Sequence, residues 1–139
     1  MQKILVAHDG SKSSDKALKK AVELATVFKS PLTVLSAIPE LYLTELKMTD
    51  RNLISDSISG GIGNVMEKIQ KSLSSKSIEV KTLVRKGDPA EIILDTAQKM
   101  GADLIITGSH GKHGAKKFHL GSVSAKIVKY ARCPVMVVK

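Results

Sequence analysis

The stretch Ile4-Leu5-Val6-Ala7-His8-Asp9-Gly10-Ser11 carries most of the fold argument. Four consecutive apolar residues read as a strand buried on both faces, because a half-exposed strand would alternate. His8-Asp9-Gly10-Ser11 are turn formers and end it. Beyond them, Leu18, Ala21, Val22, Ala25 and Phe28 fall on one face of a helix. Ser13 or Ser14 is placed to cap its start. A fully buried strand feeding a helix is the first half of a βαβ unit.

The same grammar recurs down the chain. Leu32–Ile38 reads as a second strand, ended by Pro39. Residues 40–60 carry no clear pattern, and a helix follows with Ile62, Val65, Met66, Ile69 and Leu73 on one side. Ile78–Val84 reads as a third strand, closed by Lys86-Gly87-Asp88-Pro89. Pro89 suits the first turn of a helix, and Asp88 suits its cap. That helix runs to about Met100, with Ile93, Ala97 and Met100 inward, and Gly101 stops it. Leu104–Thr107 is a short buried strand, and a long loop runs from Gly108 to Gly121. Val123, Ile127 and Ala131 mark the last helix, and Val135–Val138 the last strand.

Five strands alternating with four helical stretches predict an α/β fold: a doubly wound, five-stranded parallel sheet with helices on both faces. Two strand orders fit, 2-1-3-4-5 and 3-2-1-4-5, and periodicity does not separate them. In either, ligands bind beyond the carboxyl ends of the strands, at the topological switch point. In the second order that point lies between strands one and four. The loops there are Ala7 to Ser11 and Thr107 to Gly121. Thr107 either touches a ligand or simply ends its strand.

At 139 residues and 42% hydrophobic content the chain is predicted to be one domain spanning residues 1–139. Its single cysteine, Cys133, excludes an intrachain disulfide and a multi-cysteine metal cluster. The apolar run at the N-terminus is too short for a signal-peptide core or a membrane span. A soluble cytoplasmic protein without a membrane partner is the expectation. The net charge of +9 raises the question of nucleic acid. No recognition motif accompanies it, and two Phe, two Tyr and no Trp give no stacking platform, so nucleic acid is not an expected partner.

The loop with the chemistry reads Gly108-Ser109-His110-Gly111, nine residues, then Gly121-Ser122-Val123-Ser124. Its three glycines allow positive φ and close approach of backbone to a ligand. Gly121-Ser122 stands where the last helix begins, so unpaired N–H groups and the helix dipole favour an anion there. The hydroxyls of Ser122 and Ser124 can add bonds to phosphate oxygens. A plain loop closed by a serine cap would use the same residues. Charge shifts the balance toward the anion site, since from Leu104 to Lys139 there are seven basic residues and no acidic one, while lysines that only keep the surface soluble are the plain alternative.

No Walker A sequence occurs, and no G-x-G-x-x-G follows the first strand. His110, His113 and His119 share the loop, but their spacing matches no metal cage, and no metal ligand is assigned. Ser109 beside His110 lacks the G-x-S-x-G elbow of a hydrolase. No catalytic residue is assigned. Cys133, before Pro134, reads as structural.

Gly108-x2-Gly111-x9-Gly121-Ser122 resembles the ATP-binding motif of the universal stress protein family. The likeness extends over nearly the whole chain. Ile4 to Ser11 resembles the family's first strand and loop, Gly87-Asp88-Pro89 its Gly-x-Pro turn, and Gly121 to Ser124 with Cys133 to Val138 its closing segments. The resemblance implies the order 3-2-1-4-5 and membership of the ATP-binding branch. It implies that Asp9 lies near the nucleoside, with a carboxylate suited to ribose hydroxyls or a cation. Ala37 would present backbone to the adenine edge. Gly108 and Gly111 would line ribose and phosphates, and Gly121, Ser122, Val123 and Ser124 would hold the phosphates. Ala7, His8, Thr107 and His110 complete the candidate set as their neighbours in the two loops.

The implied ligand is ATP, or AMP or ADP, with Mg2+. The implied function is a nucleotide-dependent sensor or regulator in stress response. No general base aimed at a γ-phosphate and no arginine finger is evident in the loop, so slow hydrolysis at most is expected. A slow ATPase or nucleotide hydrolase on the same fold is the alternative. Val135–Val138 is apolar on both faces and, in this order, lies at a sheet edge, where two copies can pair antiparallel. Family members tend to dimerise in this way, so a homodimer is expected.

Overall fold

Strand β1 (Ile4–Ala7) lies at the centre of the sheet, and its side chains alternate between two cores. In the computed structural model, which describes residues 3–38, 61, 63–110 and 120–139, Ile4, Leu5 and Val6 are completely buried. Ile4 and Val6 join Ala17, Ala21 and Ala25 of helix α1 (Lys12–Phe28) on one face. Met66, Ile69 and Leu73 of helix α2 (residues 63–73) complete that layer. Leu5 faces the other way, toward Ile93 and Ala97 of α3 (Pro89–Met100) and Ile127 of α4 (Ser122–Tyr130). Each fully buried Ile or Leu contributes roughly 2 kcal/mol of transfer free energy, so both layers are needed.

The remaining strands are β2 (Leu32–Ile38), β3 (Val80–Lys86), β4 (Leu104–Gly108) and β5 (Val135–Val138). All neighbours pair in parallel, in the order β3-β2-β1-β4-β5. This is the second of the two orders that periodicity allows. Ile4 stands level with Leu32 and with Leu104, so the carboxyl ends of all the strands share one rim. The switch point falls between β1 and β4.

Several local expectations are corrected. The cap of α1 is Ser11, not Ser13 or Ser14: its extended backbone places its hydroxyl 3.1 Å from the Ser14 N–H. Gly10, at φ +87°, makes the turn that lets the helix start this early. The inner face of α1 is built of alanines, which bring the helix close to the sheet, and Phe28 is left 49% exposed. Val65 on α2 also faces outward. Strand β3 runs two residues later than Ile78–Val84, because an edge strand tolerates the charged Arg85 and Lys86. The start and stop of α3 are as read: Asp88 accepts from the Glu91 N–H at 3.1 Å, Pro89 follows, and Gly101 closes in the left-handed region. Ile62 and residues 40–60 lie outside the described residues.

Candidate functional site

The two loops at the switch point meet as the strand order requires. Ala7, half-buried, ends β1; Thr107, buried, and Gly108 end β4; half-buried Ala37 stands one residue before the end of β2. The Thr107 hydroxyl donates to the Gly108 carbonyl at 3.3 Å. Gly111, His113 and His119 lie outside the described residues.

The β1–α1 loop is ordered by its own side chains. The Asp9 carboxylate accepts from the Ser11 N–H at 2.9 Å. Burial pushes that carboxyl up, but hydrogen bonds from the Ser11 side chain and N–H and from the Ser14 side chain outweigh it. The net result is an acid held below the ordinary aspartate range, and so charged at neutral pH. A carboxyl lowered by folding stabilises the native state above its unfolded pKa and loses that contribution as pH falls through the folded value. Asp9→Asn is therefore expected to be less stable than the native chain at neutral pH. The gap should close as pH drops below about 4. Urea midpoints measured down the acid range check this.

Gly108 is glycine for a reason that sequence reading missed. Neither it nor Gly121 has positive φ, contrary to expectation; Gly121 sits at φ −59°. A Cβ on Gly108 would stand 2.8 Å from the Ser13 carbonyl carbon and oxygen. The first turn of α1 packs directly against the end of β4. The Ser13 hydroxyl also takes the His110 N–H at 3.2 Å. His110 is exposed, and its Nδ1 lies 2.8 Å from the Ser109 hydroxyl.

Buried Ser109 is the junction of the site. Its N–H donates to the Val138 carbonyl of β5 at 3.0 Å, and its carbonyl accepts from the Gly121 N–H at 2.8 Å. The Ser124 hydroxyl, also buried, bonds the Ser109 and Gly121 carbonyls at 3.3 and 3.2 Å. Ser124 thus fastens the start of α4 to β4, while Ser122 is exposed and Val123 half-buried. The contacts of Ser13 and Ser109 are not legible in the sequence, because their partners lie elsewhere in the chain. The spacing Ser11-x2-Ser14 was the available signal for the α1 cap.

Helix starts here differ in charge. α1 has its Ser11 cap and Asp15 in the first turn; α3 has its Asp88 cap and Glu91. α4 begins on Gly121 with no side-chain cap bond and no acid in its first turn. Among the described residues no side-chain cap or first-turn acid compensates its N–H dipoles, which suits an arriving anion.

Other features lead away from this rim. A groove of about 240 Å3 opens at the amino ends of β4 and β5, lined by Leu94, Ala97, Ile105, Tyr130, Arg132 and Cys133 among others. Burial and the Asp103 carboxylate push the Cys133 thiol up, which leaves it protonated rather than nucleophilic. The described residues bring no three His, Cys, Asp or Glu together to hold a metal ion. Among them no helix is long and apolar enough to cross a membrane.

Known proteins share this arrangement. The sequence model described as "Universal stress protein family" matches residues 1–139. Universal stress protein YxiE of Bacillus subtilis is 34% identical over 145 residues, covering 99% of this chain and 98% of its own. The solved structure of MJ0577, a universal stress protein of Methanocaldococcus jannaschii, superimposes with a TM-score of 0.92 at 33% identity, covering 99% of this chain and 95% of that one. A universal stress protein from Archaeoglobus fulgidus, solved in complex with dAMP, has the same fold at a TM-score of 0.69 and 20% identity, covering 100% of this chain and 98% of that one. With a match from end to end, and relatives alike over nearly their full length, the chain belongs to the universal stress protein family.

Proposed function

We propose that this chain binds an adenine nucleotide at the switch point and acts as a nucleotide-dependent sensor or regulator in stress response, with ATP, ADP or AMP as ligand. The observation that carries the reading is the start of α4, uncapped by any side chain, free of acid, and tied through Ser109 to the end of β4. The dAMP complex of the Archaeoglobus relative supports the same ligand class. In this reading the backbone at Gly121, Ser122 and Val123 receives the phosphates, with the Ser122 hydroxyl beside them. Ser124 holds that turn in place. Charged Asp9 takes the ribose hydroxyls. Backbone at Ala7, His8, Ala37, Thr107 and Gly108 lines the nucleoside, and Gly111 and His110 flank the phosphates. The residues of residues 1–139 act as one nucleotide-binding domain.

The donor set does not build a protein cage for Mg2+ among the described residues. A Mg2+ ion would be held mainly by nucleotide oxygens and water, as that ion prefers, and would neutralise phosphate charge. Isothermal titration with ATP, ADP and AMP, with and without Mg2+, tests the proposal. Saturable one-to-one binding is the expected result, and no heat at millimolar nucleotide would sink it. A slow hydrolase is the second reading, favoured by the exposed imidazole of His110 beside the site. It requires steady turnover that Asp9→Ala or Ser122→Ala abolishes.

We also propose a homodimer through β5. The strand lies at the sheet edge with all four residues half-buried. Met136 and Val138 pack on the α1 side and Val135 on the α3 side, whereas Val137 joins neither core cluster. Antiparallel pairing of two such edges would cover it. Val137→Lys is expected to shift the chain to a monomer in light scattering, while a native chain already monomeric at high concentration overturns the pairing.

A further inference from the structure

His8 stands in the nucleotide loop, yet its side chain turns away from the rim and is only 2% exposed. Its Nδ1 lies 3.2 Å from the Gly10 N–H, and its Nε2 lies 2.8 Å from the Asp15 carboxylate on α1. We infer that His8 is a positioning residue of the nucleotide site: a neutral imidazole, protonated on Nε2, that clamps the β1–α1 loop to helix α1 and so aims Asp9 at the ligand's ribose. Its functional consequence rests on the nucleotide-binding reading above; the clamp itself does not.

The tautomer follows from the partners. A backbone N–H can only donate, so Nδ1 must carry a lone pair and accept from Gly10. The remaining ring proton then sits on Nε2 and points at a carboxylate, which can only accept. The backbone of the same residue is fixed on the opposite side, where the His8 N–H donates to the Leu35 carbonyl of β2 at 2.9 Å. One residue therefore joins the strand, the loop and the helix.

The loop has two nested turns of one kind. The His8 side chain takes the N–H two residues on, and the Asp9 side chain does the same with Ser11. The anchored peptides are Asp9–Gly10 and Gly10–Ser11, so the one that His8 holds carries Asp9 itself. Without an acceptor at position 8, the Gly10 N–H loses its partner and the glycine, at φ +87°, has little else to hold it. The charged groups near the imidazole among the described residues are Asp15 from α1 and Asp9 from the loop. β2 and β4 contain no titratable side chain. Lys12 and Lys16 of α1 are exposed.

Two variants and one spectrum test the inference. Asparagine places its amide oxygen near the Nδ1 position and keeps an acceptor for Gly10; phenylalanine fills the space and accepts nothing. In the native chain, long-range 15N correlation of the imidazole should show the neutral Nε2-protonated form. Gly10 amide exchange should stay slow in His8→Asn and quicken about tenfold or more in His8→Phe. AMP should bind His8→Asn within about threefold of native and His8→Phe about tenfold more weakly. An Nδ1-protonated ring, or a His8→Phe chain with native AMP affinity and native Gly10 exchange, overturns the inference. If the native chain binds no AMP, the nucleotide reading fails, and Gly10 exchange still decides the clamp: faster in His8→Phe upholds it, unchanged refutes it.

Discussion

A Gly108→Val chain is expected not to reach a stable native state. The new Cβ alone would stand 2.8 Å from the Ser13 carbonyl carbon and oxygen, which is backbone and cannot swing aside. Helix α1 cannot retreat as a body, because Ala17, Ala21 and Ala25 seat it on the sheet with no exposure at all. Nor can β4, paired on both sides by β1 and β5. Overpacking of this kind costs about 1–3 kcal/mol where side chains can yield, and more where the obstacle is main chain. Gly108→Ala should lose about 3 kcal/mol, and the two further methyls of valine should exceed what a marginally stable domain can lose. Urea denaturation followed by circular dichroism measures both. A Gly108→Ala chain with the native midpoint would show that the helix is not pressed against this residue.

Gly121→Val should do the reverse, leaving the fold nearly intact and removing most nucleotide affinity. The backbone of Gly121, at φ −59° and ψ 156°, is open to any residue. A valine there should cost no more than about 1 kcal/mol of stability. Its isopropyl group would stand at the mouth of the α4 N–H groups and keep phosphate oxygens from hydrogen-bond distance. A loss of about a hundredfold in ATP affinity is expected, close to two charge-assisted bonds. Titration calorimetry beside a denaturation curve reads both quantities. Native affinity in a folded Gly121→Val chain would place the phosphates elsewhere. The two glycines of one motif are thus separable by experiment: Gly108 is expected to report helix packing, and Gly121 ligand access.

What the amino-acid sequence discloses follows from what periodicity measures. β1 and β4 stand out because a strand buried on both faces is an unbroken apolar run, as in Ile4-Leu5-Val6 and Leu104-Ile105-Ile106. The turn at Gly87-Asp88-Pro89 and the stop at Gly101 are equally plain, since cap chemistry is local. Strand order is not local, and only the family resemblance chose between two possibilities. The bounds of β3 slipped because its charged end lies on an edge, where apolar pattern fades. Phe28 misled because a large apolar residue at helical spacing can still fall beyond the sheet. In the site, the positions of Asp9 and Gly121 were legible. The causes at Gly108 and His8 were not, because Ser13 and Asp15 give no sign in the sequence of where they will touch.

Ser109 bonds two elements through its own backbone. Its N–H holds the outermost strand at Val138, and its carbonyl holds the threshold of α4 at Gly121. The two groups belong to successive peptide planes that meet at the Ser109 Cα, so one buried residue carries both bonds. Filling the anion cradle and mating two copies would then be heterotropically linked through a single residue. By thermodynamic reciprocity, a chain that associates more strongly when loaded must also load more readily once associated.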